Sequence, residues 1–347
     1  MSNGYPPLVH PVEALERIVY LLDRAREPRY RARAFQRAAE AIKDLSDNEL
    51  RRRAEAGTLT ELANIGEVTA SVITEALTGE KPGYLRKLES KVEELGGGEG
   101  DKIRAQLKGD CHVHSTWSDG GAPIEAMARA AMELGHEYIV MTDHSPRLTI
   151  ANGLDRGRLL AQLEEIDALN IELAPFRILT GIEVDILEDG ALDQDDDILD
   201  RLDVVVASVH SKLRMEHDEM TRRMIIAIAN PHMDILGHCT GRIVVGRGRP
   251  ESTFDADLVF AACAKFDKAV EINSRPERLD PPKRLLARAL ELGCKVAIDT
   301  DAHAPGQLEW QPYGCDRAAR CEVPVERIVN RLPADDLLEW TASHAAS

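Results

Sequence analysis

GDCHVHSTWSDG, residues 109–120, places two histidines, His112 and His114, two positions apart at the end of a stretch that reads as a β-strand. Side chains alternate faces along a strand, so both imidazoles are expected on the inner side, with Cys111 and Val113 turned toward covering helices. Similar endings follow at Met141-Thr142-Asp143-His144, Gly181-Ile182-Glu183, Ala207-Ser208-Val209-His210, Leu236-Gly237-His238 and Asp299-Thr300-Asp301-Ala302-His303. In a barrel of alternating strands and helices, the carboxyl ends of the strands converge on one mouth, where ligands distant in sequence can meet. Imidazole together with carboxylate suits zinc, manganese or iron, and a carboxylate can bridge two ions. The pattern therefore predicts a polynuclear metal site. His10, His136, His217, His232 and His344 lie outside it and read as ordinary histidines.

The rest of the chain supports an α/β barrel. From Lys108 onward, apolar strand patterns near 138–142, 176–185, 204–209, 234–236, 269–272 and 295–299 alternate with helical stretches near 123–134, 158–169, 219–229, 256–265 and 283–292. Such alternation, with ligands at the ends of so many strands, favours a parallel barrel over an open sheet. Aromatic residues make up only 4% of the chain, so Ile, Leu, Val and Ala must fill the core. No apolar run approaches the length that spans a bilayer, and the N-terminus lacks the basic and apolar regions of a signal peptide. No membrane partner and a cytoplasmic location are expected. The six cysteines form no Cys-x-x-Cys pair, which favours reduced thiols over a disulfide framework.

Before the barrel the sequence changes character. Leu15, Ile18, Val19 and Leu22 form one apolar stripe at helical spacing, and Ala34, Ala38, Ala41, Ile42 and Leu45 form another. Between them crowd Arg24, Arg26, Arg29, Arg31, Arg33 and Arg37. The formal charge of −17 is uneven: residues 1–90 hold 14 basic and 14 acidic residues, so the whole excess of acid belongs to the remainder. Gly96-Gly97-Gly98-Glu99-Gly100 reads as a flexible linker. The expected organisation is a helical domain over 1–95, a linker over 96–107 and a metal-binding domain over 108–347.

The segment TLTELANIGEVTASVI, residues 58–73, resembles a helix-hairpin-helix, in which a tight turn presents backbone N–H groups at a helix N-terminus to a DNA phosphate. Gly66 supplies one hairpin glycine and Asn64 replaces the other, a substitution that left-handed backbone tolerates. Residues 108 to about 335 resemble a PHP domain, a metal-dependent phosphoesterase with a distorted seven-stranded, TIM-like α/β barrel. The resemblance rests on the strand endings above and on NPHMDILGHCTGR (230–242) and Glu271-Ile272-Asn273. Together the two parts resemble the ends of bacterial PolX-type DNA polymerases. Between Glu89 and Lys108 there is no room for fingers, palm and thumb, so no nucleotidyl transfer is expected.

The resemblance implies three divalent transition-metal ions. One would be held by His112, His114, Glu183 and Asp301; Glu183 would bridge to a second held by His210 and His238; Asp119, His144 and His303 would take the third. Hydrolysis by a metal-bound hydroxide would turn on Glu183, Asp301 and His210. Lys212, Arg242, Arg275 and Arg278 are candidates to hold the phosphate, and Arg29, Arg31, Arg33, Ile65 and Gly66 to hold DNA. The expected activity is that of a phosphoesterase on DNA ends or gaps, without sequence specificity: a 3'–5' exonuclease or 3'-phosphatase of DNA repair. The alternative is a phosphatase of small metabolites of the histidinol-phosphate type, with the N-terminal helices as a cap. A DNA-binding adaptor with a structural metal site is weaker, because every ligand position is filled.

Overall fold

The computed structural model describes residues 10–91 and 95–346, so the first nine residues and 92–94 of the expected helical domain lie outside the described residues. The chain divides into two compact units, Met1–Glu94 and Leu95–Ser347. The first is helical: α1 (Pro11–Arg24), α2 (Arg29–Ile42), α3 (Asp47–Ala56), α4 (Glu67–Leu77) and α5 (Gly83–Glu89). Helix α1 starts where His10 accepts the Val12 N–H and Pro11 opens the first turn. Helix α3 begins on Ser46, whose hydroxyl accepts the Glu49 N–H, and stops at Gly57 with φ +68°. Leu15, Ile18 and Leu22 meet Phe35, Ala38, Ile42 and Ile73 in one core. The expected stripe on α2 holds at Ala38, Ala41, Ile42 and Leu45 and fails at one residue: Ala34 is exposed and Phe35 points inward. Asn64 takes φ +67°, the left-handed turn that its position in the hairpin requires.

The second unit opens with α6 (Asp101–Arg104) and continues β1 (Gly109–Val113), α7 (Ile124–Glu133), β2 (Tyr138–Met141), α8 (Arg156–Leu173), β3 (Arg177–Asp185) and α9 (Asp196–Leu199). It goes on with β4 (Val204–Ser208), α10 (His217–Ile228), β5 (Ile235–Leu236), α11 (Ala256–Lys265) and β6 (Ala269–Asn273). Then come α12 (Lys283–Glu291), β7 (Lys295–Asp299), α13 (Gln311–Arg320) and α14 (Ala334–Ala342). The seven strands pair in sequence order, all parallel. Residues 96–107, expected as a linker, pack on this unit instead: Gly100 N–H donates to Asp316 Oδ1, and Ile103 and Leu107 are buried beside Ile272, Leu286 and Ile298. Apolar side chains anchor the segment where glycine content suggested freedom. No helix among the described residues is long and apolar enough to cross a membrane.

One apolar cluster draws on all seven strands, including Cys111, Val140, Leu179, Val206, Ile235, Ala269 and Ala297, and is the barrel's interior. Leu337 and Trp340 of α14 close it from below. Cys111 therefore points inward, against strict alternation, while Val113 packs with Ile124 and Met127 on the helix side. A register shift between Asp110 and Val113 explains the difference, since a bulge lets two successive side chains share a face. On β3, Leu179 is interior and Glu183 and Asp185 follow it at even steps toward the mouth. Between them stands Gly181, where a Cβ would come within 2.6 Å of both Val140 Cγ1 and the Val204 carbonyl.

Barrel closure between β1 and β7 relies on side chains. The one backbone bridge there pairs Val113 with Ala302. Asp299 Oδ1 accepts the Cys111 N–H at 2.8 Å, and Asp110 accepts the Thr300 hydroxyl at 2.6 Å. Asn330 donates to the carbonyls of Gly109 and Ile298, as does Gln311. The buried donors and acceptors of two poorly paired strands are thereby satisfied.

Two of the histidines outside the metal pattern are buried. His344 is held between Asp234 Oδ1, at 2.7 Å, and the Asp267 carbonyl. His136 is 6% exposed, with the Arg104 guanidinium 3.4 Å from its Nε2. Burial, and then the Arg104 charge, push the His136 pKa down to about 3. In the unfolded chain the same ring titrates near ~6.5. Between those values the unfolded state binds more protons, so stability contributed by the neutral ring is present above pH ~6.5 and is lost as pH falls toward 3, by up to about 4 kcal/mol. Urea unfolding at stepped pH should show a shallower loss between pH ~6.5 and 4 for His136→Gln than for the natural chain. An identical slope would mean that His136 is not held neutral.

Candidate metal centre

Glu183 organises the mouth of the barrel. It is 1% exposed, and its two oxygens face different histidines. Oε2 lies 3.3 Å from His112 Nε2, 3.6 Å from His114 Nε2 and 2.9 Å from His144 Nδ1. Oε1 lies 3.2 Å from His210 Nε2 and 2.9 Å from His238 Nε2. Asp301 Oδ1 is 3.5 Å from His114 Nε2, and Asp119 Oδ1 is 3.6 Å from His144 Nε2 and 3.3 Å from His303 Nε2. Asp301 holds φ +54°, a left-handed backbone uncommon for a residue other than glycine, just beyond the end of β7.

The residues present fit metal ions. His112 Nε2, both nitrogens of His114, His144 Nδ1, His210 Nε2 and both oxygens of Glu183 are buried without a hydrogen bond among the described residues. Buried polar atoms normally have partners, and a group this large without them points to ions as the missing partners. Two donors each ~2.1 Å from a tetrahedral ion stand roughly 3.4 Å apart. The separations of 3.2 to 3.6 Å between nitrogen and oxygen here suit that spacing. Three groups have donor atoms mutually within 4.8 Å: His114, Asp119, His144 and His303; His112, His114 and Asp301; His144, Glu183 and His210. Eight of the nine expected ligand positions fall in these groups, with His114 and His144 each shared, and His238 joins through its Nε2, 2.9 Å from Glu183 Oε1.

Electrostatics divides the ligands. Burial disfavours the charged form of every imidazole, but at His112 the charges of Glu183 and Glu271 outweigh it and hold the pKa well above the ordinary value. At His210 burial is outweighed by Glu183, with Asp185 assisting, and the pKa rises to about 9. Burial, then His303 and His144, drive His114 well below the usual range. Burial would raise Glu183, yet His112, His210 and His144 keep its carboxyl well below normal; Asp301 is likewise held down, by Arg275, His114 and Arg278. Anionic oxygens and an adjacent neutral imidazole are what a cation needs.

Behind the ligands stand residues that the pattern of strand endings did not single out. Glu271 Oε1 lies 2.6 Å from His112 Nδ1, and its Oε2 accepts the His238 backbone N–H and an Asn273 amide N–H. Asn273 also donates to Asp301 Oδ2 at 3.2 Å. Asp143 accepts from the amides and hydroxyls of Ser115 and Ser118 and from Gln162, which fixes the loop that carries Asp119. Asp185 accepts the His210 N–H at 3.0 Å. A usable signal was present for Glu271: a carboxylate inside the otherwise apolar stretch Ala269-Val270-Glu271-Ile272 requires a buried partner.

The expected substrate residues separate. Arg275 Nη1 is 3.0 Å from the Asp301 carbonyl and 3.1 Å from His303 Nδ1, and Arg278 Nε is 3.1 Å from Asp301 Oδ2, so both stand at the metal cluster. Arg242 instead donates to the carbonyls of Arg278 and Leu279, which makes it a brace for the loop that carries them. Lys212 is exposed just past His210. In the helical unit Arg29, Arg31 and Arg33 lie exposed on the first turns of α2, Arg31 paired with Glu27 at 2.7 Å. Ile65 is a correction: its side chain is 6% exposed in the core, and its N–H donates to the Leu62 carbonyl. Gly66 caps α4, but its N–H donates to Thr69 Oγ1 at 3.0 Å, so the donors left by helix geometry are one step on, at Glu67 and Val68. The hairpin borders a groove of about 650 Å³ whose walls include Tyr30, Arg31, Phe35, Tyr84, Lys87 and Lys91.

Histidines and carboxylates converging at the mouth of a parallel barrel define a metal-dependent hydrolase. The family model described as PHP domain matches residues 110–275, and that described as helix-hairpin-helix domain matches residues 9–82. The chain is 41% identical over 232 residues to "DNA polymerase/3'-5' exonuclease PolX" of Bacillus subtilis, an alignment that covers 67% of this chain and 40% of that protein. It therefore spans well under half the length of that relative. It is 35% identical over 207 residues to a probable phosphatase of Thermoanaerobacter sp., covering 56% of this chain and 78% of that protein. Among solved structures it is similar to a histidinol phosphate phosphatase of Lactococcus lactis complexed with zinc, L-histidinol and phosphate. That match has 20% identity and a TM-score of 0.42 over 57% of this chain and 87% of that one. The chain belongs to the PHP-domain family, as a phosphoesterase with a helix-hairpin-helix domain ahead of its PHP domain.

Glu271 and Glu183 differ in a measurable way. Glu271→Gln keeps the shape but removes the charge behind His112, so metal affinity by chelator competition should fall ~10–100-fold, the range for a lost outer partner of a ligand. Glu183→Ala should lower the metal count per chain itself and abolish hydrolysis. Natural metal content and full activity in Glu183→Ala would overturn the assignment.

Proposed function

We propose that the chain holds three divalent transition-metal ions, zinc, manganese or iron, and hydrolyses phosphate esters at DNA ends as a 3'–5' exonuclease or 3'-phosphatase acting in DNA repair. The observation that carries this reading is the presence in one chain of a complete nine-residue cluster and a helix-hairpin-helix unit. His112, His114, Glu183 and Asp301 would hold one ion, Glu183, His210 and His238 a second, and Asp119, His144 and His303 a third. When bound, such ions make water nucleophilic near neutral pH and neutralise phosphate oxygens.

The protein's own residues set the rest. Glu183 directs one oxygen to each of two sets of histidines, which fixes the spacing of the donors. Arg275 and Arg278 at the Asp301 edge offer forked donors to a phosphate. In the helical unit, Arg31, Lys87 and Lys91 beside the hairpin groove would take backbone phosphates without reading sequence. Its Phe35 and Tyr84 rings, 4.9 Å apart, give the groove an aromatic wall. A cytoplasmic location accords with six free cysteines, five of them buried.

A chain that starts at Leu95 keeps the whole core and all ligands of the barrel unit. It should retain its metals and its turnover of a chromogenic phosphoester, while its affinity for DNA ends falls at least ~10-fold and loses much of its salt dependence. Arg29, Arg31 and Arg33 replaced together by Ala should reproduce part of that loss without unfolding the helical unit. DNA-end hydrolysis with unchanged salt dependence in the shortened chain would favour a phosphatase of small metabolites. Primer extension with nucleoside triphosphates should be absent from the full chain under every metal, and incorporation of one labelled nucleotide would contradict this.

A further inference from the structure

We propose that the loops after β4 and β5 form a cationic lip with an apolar tip, by which the barrel itself grips a single DNA strand leading into the metal centre. This inference rests on the DNA-end reading above and adds the surface that would select a polynucleotide over a small phosphoester.

The lip is a built element. Residues 241–250 fold back on themselves through a bridge between Ile243 and Arg249, with Gly246 and Gly248 at φ +63° and +62°. It is tied to the centre on one side: the Val244 N–H donates to the Glu277 carbonyl at 2.7 Å, and Arg242 Nε to the Arg278 carbonyl at 3.0 Å. Arg278 itself reaches Asp301. On the other side it meets the loop after β4, where Ser252 Oγ donates to the Leu213 carbonyl at 2.9 Å and the Leu213 side chain packs over Gly241. That loop also carries His210, two residues before Lys212.

Its chemistry differs from that of the surrounding unit. Residues 91–347 hold 29 basic and 46 acidic residues, yet 211–215 and 241–250 contain five cations and no acid. Arg242 and Arg249 are committed to loop carbonyls. Lys212, Arg214 and Arg247 are exposed, and their side chains make no ion pair or hydrogen bond among the described residues. The flanking acid Glu251 is paired with Arg242 and Arg284. At the tip Val244 and Val245 are 50% and 40% exposed beside Arg247. A small phosphoester needs one phosphate site, which Arg275 and Arg278 provide. Outlying cations and exposed apolar side chains together suit a ligand that repeats phosphates and presents base faces, as a single strand does.

The test uses the full chain, a labelled single-stranded oligonucleotide and a chromogenic phosphodiester, with metal content measured for each variant. Arg214→Glu with Arg247→Glu should lower the ratio of oligonucleotide to chromogenic kcat/KM at least ~10-fold. It should also flatten the slope of log affinity against log salt by about 1.4, as expected for two lost contacts to a single strand. Val244→Ser with Val245→Ser should lower the ratio several-fold and leave the salt slope in place. Arg214→Gln with Arg247→Gln gives the same direction if charge reversal harms folding. Natural ratios and slopes in variants with full metal content overturn the lip alone, provided the natural chain cuts the oligonucleotide. A natural chain that turns over the chromogenic ester but never the oligonucleotide overturns the DNA-end reading and the lip with it.

Discussion

The Glu183 carboxylate is the constraint around which the barrel unit is arranged. An ionised carboxylate taken out of water costs several kcal/mol even after relaxation, unless opposite charge meets it at close range. Five imidazoles surround this one within 3.6 Å, from four different strand ends. A parallel barrel can bring that many donors to one point because its strands all end on the same face. The same imidazoles repel one another when protonated, which is visible in the opposite shifts of His112 and His114. Divalent cations resolve both problems at once, by matching the carboxylates and claiming the lone pairs of neutral rings.

Closure of the barrel follows from that demand. Strand β3 pairs with β2 along 177–180 and with β4 along 181–185, so Glu183 reaches the mouth beyond the β2 pairing. Gly181 makes the close approach to Val140 and the Val204 carbonyl possible. Where β1 and β7 meet, Asp110, Asp299, Gln311 and Asn330 replace most of the ladder. The seam lies directly beneath His112, His114, Asp301 and His303. Side-chain bonding there leaves β1 free to bulge, and the bulge turns both Cys111 and His112 toward the interior.

Eight of the nine ligand-type residues were legible in the sequence because each ends or closely follows an apolar strand, where a polar side chain calls for a partner; Asp119, six residues past β1, came only from the family resemblance. Strand positions were legible for the related reason that burial on both faces leaves continuous apolar runs, and most helix limits from helical spacing between them. Glu271 and Asp143 were less so, because their roles depend on partners 159 and 25 to 28 residues away and no spacing rule reaches them. Local alternation misplaced Cys111, since a bulge depends on the neighbouring strand. Residue type alone could not separate Arg242, which serves loop carbonyls, from Arg275 and Arg278, which face Asp301. At Ile65 the hairpin motif was legible but the division of labour within it was not: the isoleucine anchors the turn in the core, and Glu67 and Val68 on the first turn of α4 are the exposed residues.

Charge placement implies that the two units would need different means of meeting the proposed polyanion. The helical unit holds 15 basic and 16 acidic residues, so an attraction for phosphate would have to arise from local arrangement: arginines on the first turns of α2 and lysines on and after α5. The barrel unit, with 28 basic and 44 acidic residues, carries −16 of the net charge of −17, yet many of its acids are not available to repel a ligand at the mouth. Glu183, Asp301, Asp119 and Asp185 lie against histidines, and Asp143 is enclosed by five hydrogen-bond donors. Repulsion between exposed charges decays over ~8 Å at physiological salt, so acids elsewhere on the surface count for little at that point. Within this radius, a cluster that bound ions would neutralise, flanked by Arg275 and Arg278, is a place where a phosphate could arrive despite the formal charge of the chain.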